Sequence, residues 1–133
     1  MARLLLDRTF DEILDLLVEA RDCATAMRRR PVARRIGVAE IRASSEALRV
    51  TSRLTHAMAW VMVQKAVHAG EITPEEASAE EHRLGGQSVC LTEAEAEMLA
   101  DLPPRLDSLL TRSLAIYRRI ERLDRLREAH LSS

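Results

Sequence analysis

The chain has 133 residues and a mass of 15.0 kDa, enough for one domain. A chain of this size removes roughly two thirds of its unfolded surface from water and folds without help from a disulfide or metal. Cys23 and Cys90 stand far apart with no Cys or His at ligand spacing, which argues against a disulfide framework or zinc site and reads as two free thiols in a reducing cytoplasm. The net charge is only −1, but it is segregated: eight arginines and two acids fall between Arg28 and Arg53, nine acids and one arginine between Glu71 and Asp101. The apolar run of MARLLLDRTF is too short for a signal-peptide core, and only eleven uncharged residues separate Arg53 from Lys65, where a membrane-spanning helix needs about 20. A soluble, cytoplasmic protein is expected.

The first predicted helix starts at Thr9, with Glu12 at capping-box spacing, and ends near Arg28. Phe10, Ile13, Leu14, Leu17, Val18, Ala24 and Met27 recur along it as one apolar face. The connector RRRPVARR follows, closed to helix by Pro31 and by repulsion among its arginines. A second helix runs from about Val38 to Ala69, with Ile41, Leu48 and Leu54 expected inward and Arg42, Arg49 and Arg53 outward. From Ala57 to Val63 every residue is apolar, so two neighbouring helices leave part of this stretch for something else to cover. Met58, Trp60, Val61, Met62 and Val63 are therefore expected in the core or in a dimer interface.

Gly70 supplies a left-handed residue to close the second helix. Thr73 to Glu76, TPEE, starts a short acidic helix reaching toward Gly85, and another is expected from Thr92. Pro103 and Pro104 interrupt it, and a last helix from about Pro104 to His130 carries Leu106, Leu109, Ser113, Ile116, Ile120 and Leu123 as a coiled-coil-like seam. Leu110, Leu114, Tyr117 and Leu126 widen that seam. The expected architecture is one all-α domain over 1–133, a compact three-helix bundle, antiparallel in sequence order, with short helices between its second and third main helices.

No catalytic, cofactor-binding or metal-binding residues are expected. His56 and His68 are twelve positions apart, about 18 Å along a helix, and cannot share one ion. The acids sit in first turns and on solvated faces where capping explains them, and no nucleophile elbow or phosphate loop is present. The arginine-rich stretch is the strongest candidate for contact with a partner: Arg28, Arg29, Arg30, Arg34, Arg35 and Arg53 are expected to bind it. Nucleic acid is the alternative ligand, weakened by the near-neutral total charge and the scarcity of aromatics.

TSRLTHAMAWVMVQKAVHAGEIT, through Arg53, Leu54, Trp60, Gln64, Ala66, Val67, Gly70 and Glu71, resembles the RcdA family of alphaproteobacterial proteins. The resemblance resumes at LPPRLDSLLTRSLAIYRRIERLD, through Leu102, Pro103, Leu114, Tyr117, Arg119, Leu123 and Asp124, and at FDEILDLLVEARD. It implies a helical bundle that dimerises and serves as a non-catalytic adaptor of the ClpXP protease. Its partners would be a response regulator that primes the protease and cargo that includes cell-cycle regulators. A DNA-associated helical regulator and a purely structural dimerisation module are the alternatives that the residues leave open.

Overall fold

A computed structural model describes residues 2–29, 37–92 and 102–132. Three long helices, α1 (Ala2–Arg28), α2 (Val38–His68) and α5 (Pro104–Ser132), form an all-α bundle. The connection between α2 and α5 holds two single-turn helices, α3 (Pro74–Ala77) and α4 (Gln87–Cys90), with a 3-10 turn at Glu80–His82 between them. Among the described residues there is no strand, and no helix is long and apolar enough to cross a membrane.

Local chemistry accounts for most of the boundaries. Gly70, at φ 75°, closes α2 in a Schellman motif: its N–H donates to the Val67 carbonyl at 3.0 Å and that of Glu71 to Ala66 at 2.9 Å. Thr73 caps α3 by accepting from the Glu76 N–H at 3.1 Å, with Pro74 in the first turn. The acidic helix expected to run on toward Gly85 stops after one turn, because the segment must then travel along α2. Pro104 opens α5, and the Asp107 N–H bonds to the Pro103 carbonyl at 3.0 Å. The helix expected beyond Thr92 lies outside the described residues. At the N-terminus the expectation is corrected: α1 begins before Thr9, whose hydroxyl donates to the Leu5 carbonyl at 2.9 Å instead of capping. A Thr followed three residues later by Glu suits a helix interior as well as a start, and Leu6 gains burial by extending the helix.

α2 is the central scaffold and packs against both α1 and α5, which also touch each other. The directions of the helices differ from the expected antiparallel order. Lys65 pairs with Asp7 at 3.1 Å, so α1 and α2 are antiparallel. Arg53 reaches Leu110 and Ser113 while Trp60 reaches Asp124, so residue numbers climb together and α5 runs parallel to α2. A parallel neighbour demands a long crossover. The connection provides it by retracing α2: Ala77 shares a small cavity with Gln64, Gly86 abuts His56, Cys90 meets Arg53, and Arg49 donates to the Val89 carbonyl at 3.2 Å.

The core gathers Ile13 and Leu16 from α1, Val50, Leu54, Ala57, Trp60 and Val61 from α2, and Leu106, Leu109, Ile116, Tyr117 and Ile120 from α5, with Leu84 and Cys90 from the connection. Several expected inward residues lie elsewhere. Ile41 and Leu48 are 62% and 71% exposed; of the residues expected in the core or a dimer interface, Met62 is 57% exposed, Met58 is half-buried against the core, and Val63 and Leu114 are half-buried. Leu14, Val18 and Leu126 are also exposed. The physical reason is rotation: the inward arc of α2 is centred on Val50, Ala57 and Val61, which carries Ile41, Leu48 and Met62 to the opposite side.

Candidate functional site

Arg53 was expected to face outward toward a partner; it is instead 2% exposed and lies at the centre of the fold. Its position on the same arc as Val50, Ala57 and Val61 points it at the gap between α2, α4 and the first turns of α5. Nε donates to the Cys90 carbonyl at 2.7 Å, Nη1 to the Leu110 carbonyl at 3.0 Å and to Ser113 Oγ at 3.3 Å, and Nη2 to the Thr92 carbonyl at 3.3 Å. The planar guanidinium thus joins three segments at once, a task that the single point charge of lysine performs poorly. Cys90 Sγ sits beside Ser52 Oγ at 3.5 Å, and both Cys23 and Cys90 are buried free thiols.

Arg83 and Tyr117 make the further polar contacts that fasten the connection. Trp60 Nε1 donates to Asp124 at 2.9 Å, and the same carboxylate accepts from Arg83 Nε at 3.0 Å. Arg83 also reaches Glu128 at 2.8 Å, and the bond to Glu128, followed by that to Asp124, holds the guanidinium in its charged form more firmly than usual. Tyr117 donates its hydroxyl to the Gly85 carbonyl at 2.6 Å. Burial first, and then the nearby Cys90 and Glu121, push the phenol well above its ordinary titration range. Gly86, at φ 80°, passes under the His56 ring so closely that a Cβ there would stand 2.5 Å from the imidazole. Among the described residues no three His, Cys, Asp or Glu side chains are grouped as metal ligands would be.

The outer surfaces have different characters. Arg28 and Arg29 are exposed at the end of α1, whereas Arg30, Arg34 and Arg35 lie outside the described residues. Beside Arg28, a groove of about 300 Å³ runs between α1 and α2, lined by Ala24, Met27, Ala47, Leu48 and Thr51 with Glu40 at its rim. On the opposite seam, Glu12 pairs with Arg119 and Glu19 with Arg112, each at 2.6 Å, a charged ladder between antiparallel helices. The bond from Arg112 holds the Glu19 carboxyl below its usual range, and Glu19 in turn raises Arg112. The third surface is the outward side of α2, on which Ile41, Leu48, Thr55 and Met62 succeed one another at seven-residue intervals and are all exposed.

Sequence reasoning missed Arg53, Arg83 and Asp124 as structural centres. The signal for Arg53 and Asp124 was present, because both fall in the helical period of the apolar residues around them. Arg83 sits in irregular backbone and carries no such signal.

The pattern of one protein family spans residues 1–132, nearly the whole chain. The chain belongs to the family described as "Protein of unknown function (DUF1465)". No curated protein and no solved structure matches it. The family match covers α1, α2, the connection and α5 together, so the three surfaces and the buried clamp all lie within one family unit.

Proposed function

We propose that this protein is a cytoplasmic, non-catalytic adaptor of regulated ClpXP proteolysis that works as a homodimer and delivers cell-cycle regulators for degradation. One observation carries the reading: residues of the RcdA resemblance, Arg53 on α2 and Tyr117 and Asp124 on α5, bind the connection to the bundle, and Trp60 joins α2 to α5 through the same Asp124. That the resemblance falls on residues that hold the scaffold together supports the reading. Such a scaffold holds partners on its outside. The exposed Arg28 and Arg29 offer a cationic end for an acidic protein surface, and Arg53, being buried, leaves the partner-binding set.

The test is cargo turnover by reconstituted ClpXP with its priming response regulator. Changing Arg29, Arg34 and Arg35 together to Glu should leave the helical circular dichroism unchanged and slow adaptor-dependent degradation at least tenfold, with a weaker dependence on salt. The exposed arginines also favour a second reading, nucleic-acid binding. Undiminished turnover in the triple variant, together with lost DNA binding and a wild-type affinity that falls steeply with salt, would promote that reading over the adaptor.

A further inference from the structure

Gln64 follows Ala57 and Val61 along the inward arc of α2, where packing calls for an apolar side chain, and it is only 2% exposed. Its Oε1 is shut off from solvent and accepts no hydrogen bond from any described residue. A buried acceptor left in that state is costly, and native proteins keep few of them. Gln64 lines the small cavity whose wall is completed by Ser78 of the connection, Arg83, and Asp124, Arg127 and Glu128 of α5. Two donors of that wall are turned elsewhere. Ser78 gives its hydroxyl hydrogen to the Glu75 carbonyl at 2.7 Å, and Arg83 directs Nε to Asp124 at 3.0 Å and Nη2 to Glu128 at 2.8 Å.

We infer that this cavity is a binding site for a single water molecule, which donates one hydrogen to Gln64 Oε1 and ties α2 to the last turns of α5 beside the connection. Size selects the ligand first. The cavity offers about 20 Å³, where one water needs about 10–15 Å³, so a second water or a polyatomic anion does not fit. The chemistry of the wall agrees, because a buried water needs about two to four polar partners and must both give and accept hydrogens. The Asp124 carboxylate takes hydrogens from Trp60 and Arg83 and, with about four lone-pair positions in all, has room for the second hydrogen of the water. Arg127, half-buried beside it, has N–H groups to donate to the water oxygen. A cation suits the place less well. The guanidiniums of Arg83 and Arg127 already match the carboxylates of Asp124 and Glu128 in number, so a further positive charge would go uncompensated. The site lies inside the scaffold, and its existence does not depend on what docks outside.

A high-resolution crystal structure of the full chain should show one density peak at about 2.7–3.2 Å from Gln64 Oε1. Soaking the crystals in rubidium chloride should add no anomalous signal at that peak. Gln64→Met keeps the length of the side chain and removes the amide, so the water loses its acceptor and the melting temperature should fall by about 3–5 °C. An Oε1 without any partner predicts the opposite sign, since deleting it would then relieve a buried acceptor. The wild-type density decides the matter even if Gln64→Met fails to fold. A cavity without density, a Gln64 amide turned to bond a protein group, a rubidium signal, or a Gln64→Met variant that melts no lower than wild type would overturn the proposal.

Discussion

Replacing Arg53 with Ala tests whether the buried guanidinium holds the connection in place. The variant leaves the Cys90 carbonyl, buried beside α2, without its 2.7 Å charge-assisted bond. A bond of this kind is worth about 1.5–3 kcal/mol. Losing the two outer methylenes from the core adds about 0.8 kcal/mol each. Leu110 and Ser113 suffer less, because Ser113 Oγ still donates to the Leu110 carbonyl at 3.2 Å, and the Thr92 carbonyl belongs to an exposed residue that water reaches. The total is about 3–5 kcal/mol, a large part of the roughly 5–15 kcal/mol that stabilises a domain. Arg53→Met keeps most of the stem and should recover about 1–2 kcal/mol of that loss. Urea denaturation followed by circular dichroism gives both values, and amide exchange should quicken more over residues 86–92 than in α1. A loss under about 1 kcal/mol, or no faster exchange over 86–92, would refute the reasoning.

Gly86→Ala should destabilise the fold more than Gly70→Ala: both glycines have positive φ, but only at Gly86 does the new methyl meet the His56 ring, whereas nothing lies within 4 Å at Gly70. Thermal melts that place the two variants level, or in the reverse order, would count against that packing. Trp60→Ala should cost about 3–5 kcal/mol. Trp60→Phe should cost only about 1 kcal/mol, because the Asp124 carboxylate keeps Arg83 as a donor. Tyr117 titrates higher when folded than when unfolded, so its contribution to stability is complete below the ordinary phenol range near pH 10 and declines as the pH rises above it. Urea midpoints between pH 8 and 11 should therefore fall less steeply for Tyr117→Phe than for wild type.

Both ends of α2 and the start of α5 were legible because apolar periodicity, Gly70 and Pro104 act locally, whereas α1 begins at Ala2, ahead of the Thr9 start that its capping-box spacing suggested. The sense of α5 was not, since nothing in its own residues distinguishes a parallel from an antiparallel neighbour. That depends on how far the connection travels, which the Arg53 and Tyr117 contacts fix from a distance of many residues. The two faces of α2 were confused because an arginine was assigned to water by its charge. Its period, shared with Val50 and Ala57, was the better guide, and it also explains why Leu48 and Met62 are exposed. The partner-binding expectation suffered in the same way: Arg28 and Arg29 are exposed as charge suggests, and Arg53 is not.

The parallel sense of α5 also decides where the chain enters and leaves. Asp7 stands beside Lys65, while Arg127 and Glu128 border the cavity that contains Gln64, so the first turns of α1 and the last turns of α5 share one level of α2. A fusion at either end of the chain therefore loads the same pole of the bundle. Arg28, Arg29 and the start of α2 lie at the opposite pole, so a fluorescent protein or an affinity tag joined to the first turns of α1 or the last turns of α5 is attached away from them. A short linker between those ends, with new ends opened elsewhere, is a practicable circular permutation.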